Sequence, residues 1–381
     1  MTPLRWYCRQ QSRTWLCRAA SSDPLAFHCG LPGYDATPLI ELPPLARELD
    51  VGRVFVKDES SRLGLPAFKV LGASWAIASV VADRAGLDGP LTLADLKSAT
   101  AQDRFVLVTA TDGNHGRAVA RVGALLGLPT QVFVPDVITE RSVAAIAGEG
   151  ATVTMVSGSY DDAVARAARE AAARPDAVLL QDTAWPGYEE IPARIVEGYQ
   201  TLLLEADAQL VSAGVARPGL VAVPVGVGSL AQAVVRHYRS CGDIPGPSVV
   251  GVEPDNAACV LASLSRGRLT TVPTAATVMA GLNCGTPSSL AWPTLRDGLD
   301  TAVAVADDAA AQAVADLAEL GVSSGPSGAA TLAGVRALLT GDRHRDRRRD
   351  LGLDSTAVVV LLSTEARTCA TNPPPTSPGS S

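Results

Sequence analysis

The sequence has little of what marks several classes of protein. Of its 381 residues only 4% are aromatic, and basic residues do not outnumber acidic ones: 32 Lys and Arg stand against 39 Asp and Glu, a formal net charge of −7. A negative net charge does not favour binding to nucleic acid or to an anionic membrane surface. We therefore expect neither of these partners.

Long apolar runs and paired cysteines are also missing. The two longest uncharged stretches, 218–235 and 269–295, are broken by Pro, Gly, Ser, Thr or Asn every few residues, which a lipid-facing helix rarely tolerates. The N-terminus has no continuous apolar segment of the kind that a secretory signal needs. Seven widely spaced cysteines without a CxxC pair favour a reducing cytoplasm and argue against a metal site.

Lysine is the scarcest reactive side chain, with three copies at Lys57, Lys69 and Lys97. Arginine stays protonated in proteins, whereas a lysine whose pKa is lowered can act as an amine nucleophile. The scarcity itself is what a GC-rich coding sequence gives. It nevertheless limits any Schiff base to three candidates. We expect Lys57, which is followed by Asp58 and Glu59, to pair with carboxylates, and Lys97 to lie on the surface.

Short β-branched runs alternate with longer Ala-rich segments of helical periodicity from about residue 52. The runs predicted as strands are 54–56, 105–108, 131–134, 152–155, 178–180, 220–223, 249–252, 302–305 and 357–361. Continuous apolar strands separated by helices are typical of parallel sheets that are covered on both faces. We therefore predict an α/β fold with two open, mostly parallel, twisted sheets and helices on both faces of each.

Four segments follow from this pattern. We predict an N-terminal arm and packing segment over 1–44, a smaller α/β domain over 45–188, a larger α/β domain over 189–370 and a disordered Pro/Ser-rich tail over 371–381. The break between the domains is placed near 187–192, before a long helix predicted over 193–210. The N-terminal segment is expected to pack on the larger domain.

Ligands of open α/β sheets bind beyond the carboxyl ends of the strands, so the strand-to-helix turns are the places to search. Lys69 opens a predicted helix between apolar neighbours, where burial would lower its pKa and give an amine able to attack an aldehyde. A lysine at such a position can equally be a surface residue whose stem packs on the protein.

Two further turns carry suitable groups. The turn 109–116 contains Asp112, two glycines and Asn114, whose amide could contact a ring hydroxyl, although an Asp-Gly turn also simply caps helices. His115 taken alone is expected to be structural. The turn 223–231 contains Gly226, Val227, Gly228, Ser229 and Leu230, whose backbone N–H groups suit a phosphate at a helix N-terminus. It lacks the GK[ST] of a Walker loop.

A lysine amine, an amide for a phenolic oxygen and a phosphate loop together are what pyridoxal 5′-phosphate (PLP) requires. Their order and context resemble the fold type II (tryptophan synthase β-like) PLP enzymes, and within them the diaminopropionate ammonia-lyase group. The matching segments are 34–39 (YDATPL), 56–60 (VKDES), 68–69 (FK), 112–116 (DGNHG), 181–192 (QDTAWPGYEEIP), 280–285 (AGLNCG) and 362–365 (LSTE). The resemblance spans about residues 30–368 and implies that PLP binds in a cleft between the two domains.

The resemblance implies a role for each cofactor-binding residue. Lys69 looks like the Schiff-base lysine, Asn114 like the partner of the cofactor's 3′-oxygen, and 226–230 like the phosphate loop. Ser363, or as a second choice Thr364, looks like the hydroxyl that faces the pyridine nitrogen. A neutral hydroxyl there leaves this nitrogen unprotonated, which suits elimination better than transamination.

The resemblance also implies which residues act on the substrate. Asp112 stands where related dehydratases and cysteine synthases have a small residue, so its carboxylate is expected to take the α-proton from the face opposite Lys69 or to pair with a β-ammonium. Two bases on opposite faces allow the resembling lyases to use both substrate enantiomers. Tyr160 and Asp182 look like substrate-contacting residues, with a packed tyrosine and a turn cap as the alternatives.

The chain also departs from the family pattern. The segment before Ser327-Gly328-Ala329 is Gly325-Pro326 where an acidic residue is expected, the phosphate loop follows Pro224-Val225, and the first 30 residues match nothing in the family. These changes flank the cofactor site. They bear on the choice of substrate more than on PLP binding.

We therefore predict a PLP-dependent ammonia-lyase that eliminates the β-amino group of 2,3-diaminopropionate or a closely related amino acid, giving pyruvate and ammonia. A homodimer is expected from the resemblance. Two alternatives stay open. One is another PLP reaction on this fold, either serine/threonine dehydration or β-replacement in a biosynthetic pathway. The other is an α/β protein that binds a nucleotide non-covalently through 226–229.

Overall fold

The computed structural model describes residues 5–19, 22–111, 113–240, 242 and 245–367, and structural statements refer to these residues. The predicted tail, 371–381, lies outside them. The strands are β1 Trp6–Cys8, β2 Leu39–Glu41, β3 Arg53–Asp58, β4 Val106–Ala110, β5 Thr130–Pro135, β6 Thr152–Val156, β7 Ala177–Leu179, β8 Leu220–Pro224, β9 Ser248–Pro254, β10 Thr301–Val305 and β11 Val358–Ser363.

Helices connect nearly all of these strands. They are α1 Pro24–Cys29, α2 Pro43–Glu48, α3 Lys69–Ala85, α4 Leu93–Gln102, α5 Asn114–Leu126, α6 Glu140–Gly148, α7 Tyr160–Ala172, α8 Glu190–Gly198, α9 Gln200–Ser212, α10 Ser229–Ser240, α11 Cys259–Arg266, α12 Ala291–Gly298, α13 Asp307–Glu319, α14 Pro326–Leu339 and α15 His344–Leu351. Short 3-10 turns cover Gln10–Thr14 and Ala280–Leu282. Among the helices described, none combines the length and the apolar character needed to cross a bilayer.

The strands form two sheets, as predicted. The larger sheet has the order β1-β10-β9-β8-β11-β3-β2, and the smaller has the order β6-β5-β4-β7. Every pairing is parallel except those of the edge strands β1 with β10 and β2 with β3. All nine predicted strands are confirmed. The two antiparallel edge strands were not predicted, because each has three residues, none of them buried, and so lacks the apolar run used to recognise strands.

The sheet membership expected for the first predicted strand is wrong. Residues 54–56 were placed with the smaller domain, but β3 lies in the larger sheet, where Val54 pairs with Val359 of β11. The apolar run of β3 shows only that both of its faces are buried, and such a strand fits the interior of either sheet. The domain limits themselves remain a prediction.

The long helix predicted over 193–210 is also corrected, because it is two helices that meet at Tyr199. The backbone at Gly198 lies so close to α3 that a Cβ there would collide with the carbonyl oxygen of Leu71. The Tyr199 ring packs on the ring of Phe68, with 4.7 Å between centroids. The break between α8 and α9 therefore allows the end of α8 to pack closely against α3, the helix that carries Lys69.

A buried ion cluster ties β3 to α9. The Glu205 carboxylate accepts hydrogen bonds from Lys57 Nζ at 2.8 Å and from Arg62 Nη1 at 2.6 Å. Arg62 also pairs with Glu59 at 2.7 Å, and the side chains of all four residues are at most 3% exposed. The prediction that Lys57 pairs with carboxylates is confirmed. Lys97 is exposed on α4, so Lys69 is the remaining amine for chemistry.

Candidate active site

A cavity opens where the carboxyl ends of β4, β8 and β11 face the first residues of α3, α5, α7 and α10. Its empty space is about 790 Å³, which includes space open to solvent. The predicted residues that line it are Lys69, Asn114, Tyr160, Asp182, Gly226, Val227, Gly228, Ser229 and Leu230. The structure therefore brings together three turns that are distant in sequence.

Lys69 is the first residue of α3 and carries the amine into this cavity. Its Nζ donates a hydrogen bond to Asp182 Oδ2 at 2.6 Å, and the two side chains are 24% and 8% exposed. Burial by itself would raise the pKa of Asp182, but the charges of Lys69 and His115 outweigh it and lower that pKa to about 2. Asp182 is therefore a buried anion that holds the lysine amine in place.

The loop between β8 and α10 has the form of an anion cradle. Gly228 has φ +98°, a conformation that favours glycine. A Cβ at Gly226 would lie 3.2 Å from both Cys284 Sγ and the Gly281 carbonyl oxygen. Since the first N–H groups of a helix have no partner within the helix, the start of α10 can bind a phosphate without a basic side chain. Ser229 Oγ donates to the Asp182 carbonyl oxygen at 2.6 Å, which fixes the loop beside the lysine.

Asn114 is the first residue of α5, and its amide points to a carboxylate that the sequence did not single out. Its Nδ2 donates to Glu365 Oε2 at 2.8 Å, and Glu365 Oε1 accepts from the Ser327 backbone N–H at 3.2 Å. The amide retains a second N–H for a ring oxygen. Glu365 is the second residue after β11, and its position beyond the carboxyl end of a strand is the sequence signal that could have identified it.

Glu365 also accounts for one departure from the family pattern. A Cβ at Gly325, before the Ser327-Gly328-Ala329 segment, would lie 2.9 Å from Glu365 Cγ. The Glu365 side chain thus occupies the space beside Gly325. The structure places a carboxylate next to this segment, but it comes from the loop after β11 and not from the segment itself.

The preference for Ser363 over Thr364 as the hydroxyl facing the cofactor ring is not supported by the geometry. Ser363 is 1% exposed, its Oγ donates to Ser324 Oγ at 2.8 Å, and it is absent from the cavity lining. Thr364 lines the cavity. The reason is that neighbouring residues at the end of a strand point in opposite directions, which a sequence match cannot resolve.

The described residues include Tyr160 but not Asp112. Tyr160 opens α7, lines the cavity, and its OH accepts a hydrogen bond from Gln181 Nε2 at 2.7 Å. Asp112 lies outside the described residues, so its predicted role remains a prediction. Of its neighbours, Thr111 lines the cavity and accepts a hydrogen bond from the Gly113 N–H at 2.9 Å.

His115 is an additional lining residue that sequence reasoning treated as structural. It is 4% exposed, and its Nε2 lies 2.7 Å from the Leu180 carbonyl oxygen. Its Nδ1 lies 3.9 Å from Asp182 Oδ2. Burial and the nearby Lys69 lower the pKa of His115, against the opposing influence of Asp182.

These groups fit PLP. The cavity offers one amine for the aldehyde, an amide N–H for the ring oxygen and a glycine cradle for the phosphate. Ser327 Oγ also lines the cavity, is buried and has no hydrogen-bond partner among the described residues, so a polar ligand atom would satisfy it.

We expect Gly228→Ala to weaken PLP binding about tenfold or more, equivalent to about 1.4 kcal/mol. Its Cβ would meet Leu295 Cδ1 at 2.7 Å, and its φ of +98° disfavours alanine whatever the space, so the variant strains the backbone of the cradle. Titration of the cofactor-free chain with PLP, followed by absorbance, measures the change. Gly267→Ala is the matched control, because Gly267 also has positive φ but open space around it. Equal PLP affinity in both variants would contradict this use of the loop.

Comparison with known proteins agrees with this geometry. The sequence model of the family described as "Pyridoxal-phosphate dependent enzyme" matches residues 31–363. Diaminopropionate ammonia-lyase of Salmonella typhimurium is 38% identical over 357 residues, covering 90% of this chain and 88% of that protein.

Solved structures of diaminopropionate ammonia lyase are also similar to this chain. The holo form of diaminopropionate ammonia lyase from Escherichia coli superposes with a TM-score of 0.85 at 33% identity, covering 95% of this chain and 94% of that one. The same enzyme in complex with an aminoacrylate-PLP azomethine reaction intermediate gives a TM-score of 0.81 at 32% identity, covering 96% and 94%. The likeness therefore extends over almost the whole of both chains.

Proposed function

Because the chain belongs to the family of pyridoxal-phosphate-dependent enzymes, we propose that it eliminates ammonia from 2,3-diaminopropionate. The observation that carries the proposal is the 38% identity to a diaminopropionate ammonia-lyase over most of both chains. The cavity supports it with a lysine, an amide and a phosphate cradle in one place. The products are pyruvate and ammonia.

In this proposal Lys69 holds the cofactor covalently, Asn114 donates to its ring oxygen and 226–230 bind its phosphate. Bound PLP withdraws electrons from the Cα of the attached amino acid, which makes the α-proton acidic. Thr364, which lines the cavity, takes the role first given to Ser363. A neutral hydroxyl at this place would leave the ring nitrogen of the cofactor unprotonated, which would favour elimination over transamination.

Two bases divide the proton transfers. The Lys69 amine takes the α-proton from one face of the substrate, and Asp112 takes it from the other face or pairs with the β-ammonium so that nitrogen leaves as ammonia. Asp182 orients Lys69, and Tyr160, which lines the cavity, contacts the substrate. Asp112 is assigned on the sequence resemblance alone.

Two further properties belong to the proposal. The family resemblance supports a homodimer, and the odd number of cysteines without a CxxC pair supports a cytoplasmic location. Sedimentation or light scattering of the purified chain tests the first, and localisation of a tagged copy tests the second.

The test of function is product analysis with a substrate panel. With 2,3-diaminopropionate we expect two ammonia molecules for each pyruvate, since the β-nitrogen and the hydrolysed α-nitrogen are both released. Serine and O-acetylserine serve as competing substrates; each would release one ammonia per pyruvate by elimination. A thiol added with O-acetylserine reveals β-replacement as a new amino acid. No pyruvate from the diamine, with turnover of serine or O-acetylserine, would overturn the proposal in favour of the dehydratase or synthase alternative.

A further inference from the structure

We propose that His115 is a positioning residue that stores, on its Nδ1 atom, the proton that Lys69 gives up when its ammonium becomes a neutral amine. The inference rests on the proposed function, in which Lys69 acts as a base. After its release from the cofactor, Lys69 has to be a neutral amine to take the α-proton. The structure shows Lys69 as one end of a row of three groups, of which Asp182 and His115 are buried.

The row runs from Lys69 Nζ through Asp182 Oδ2 to His115 Nδ1. The first distance is 2.6 Å and the second 3.9 Å, and both end at the same carboxylate oxygen. Asp182 and His115 are 6% and 4% exposed. The second distance has to shorten by about 1 Å for a hydrogen bond to form. A small rotation of either planar side chain about its last torsion supplies such a movement.

The tautomer of His115 is fixed by its other nitrogen. Nε2 lies 2.7 Å from the Leu180 carbonyl oxygen, and since a carbonyl only accepts, Nε2 has to carry a hydrogen. In the neutral ring, Nδ1 is then an unprotonated acceptor. It is buried and has no hydrogen-bond partner among the described residues. The carboxylate of Asp182 cannot donate to it, so a proton on Nδ1 is what would complete this contact.

The transfer conserves charge. Before it, Lys69 is an ammonium, Asp182 a carboxylate and His115 a neutral ring. Afterwards one proton has passed from Nζ by way of the carboxylate to Nδ1, so that Lys69 is a neutral amine and His115 an imidazolium. The net charge of the three groups is zero in both states, and Asp182 always faces one cation. This avoids the large cost of leaving a buried carboxylate unpaired.

One alternative is that His115 only packs against Leu180 and fixes the turn. If His115 had only this structural role, replacing it would change kcat and KM for both substrate enantiomers together. Proton storage affects only steps in which Lys69 is the base, and it makes the protonation of His115 depend on Lys69. These two consequences can be measured separately, one of them without any turnover.

The first test is ¹⁵N NMR of histidine-labelled protein, which is tractable because the sequence has four histidines. In the cofactor-free wild-type chain at neutral pH, His115 should show one protonated and one unprotonated ring nitrogen. In Lys69→Met, which keeps the volume and removes the cation, both nitrogens should be protonated at the same pH. A ring that stays neutral in Lys69→Met would overturn the proposal, whatever substrate the enzyme uses.

The second test uses His115→Gln, because glutamine can still donate to the Leu180 carbonyl but cannot hold a proton. We expect kcat for one enantiomer of 2,3-diaminopropionate to fall about 10²-fold, with KM nearly unchanged and the other enantiomer little affected. Asp112→Asn should slow the opposite enantiomer. Equal loss for both enantiomers in His115→Gln, or no loss for either, would contradict proton storage.

His237→Gln is the matched control. His237 Nε2 lies 2.6 Å from Asp207 Oδ2, so it is another histidine–carboxylate pair, but on α10 and outside the cavity lining. It should leave both enantiomers at wild-type rates. If the wild-type enzyme makes no pyruvate from either enantiomer, the proposed function fails. The NMR comparison still decides whether His115 responds to Lys69.

Discussion

Lys69→Ala is expected to lose covalent PLP attachment and to lower the rate of pyruvate formation by about 10³-fold or more. The residue supplies both the attachment point and one base, and removing a group that forms the covalent bond costs several orders of magnitude in well-studied enzymes. The wild-type protein should be yellow with a long-wavelength Schiff-base band, and the variant should lack that band. Absorbance and a coupled pyruvate assay measure the two effects.

Lys97→Ala is the matched control for this experiment, because Lys97 is exposed on α4 and should retain colour and activity. Borohydride reduction of the wild-type protein followed by peptide mapping should then mark Lys69 alone among the three lysines. A yellow, active Lys69→Ala variant would contradict the assignment. A colourless wild-type protein would instead revive the alternative of a protein that binds a nucleotide without a covalent bond.

Strands were the most predictable part of the fold. β8 and the run 249–252 of β9 are buried along their whole length, and such runs are visible in sequence because they carry no polar side chain on either face of the strand. The sheet that each strand joins was less predictable. β3 looks like the strands of the smaller sheet, but it pairs with β2 and β11 of the larger sheet. The pairing with β11 joins Arg53 to Val358, which are 305 residues apart in the chain.

The site was predictable where chemistry depends on residue type and local position. Lys69, Asn114 and Ser229 each begin a helix as expected, so their turns could be found from sequence. Glu365 and His115 could not be assigned, because their roles depend on partners far along the chain: Asn114 for the first, Leu180 and Asp182 for the second.

The largest expected loss of stability is for Glu205→Gln. The glutamine would leave Lys57 and Arg62 buried without this anion, and breaking a buried ion pair from one side costs about 3–5 kcal/mol of unfolding free energy. Chemical denaturation at neutral pH measures the loss. Glu41→Gln is the control, since Glu41 pairs with Arg53 at the surface and such pairs contribute less than about 1 kcal/mol.

The loss should also depend on pH in a definite direction. Burial would raise the pKa of Glu205, but the hydrogen bonds and charges of Arg62 and Lys57 outweigh it and lower the pKa to about 2. An acid whose pKa is lower in the folded state contributes stability above its unfolded pKa, near 4.3, and loses it as the pH falls toward the folded value. The difference between wild type and Glu205→Gln should therefore be full at pH 6–7 and shrink between about pH 4 and pH 2. A difference that stays constant over this range would mean that lost packing, and not lost charge, causes the destabilisation.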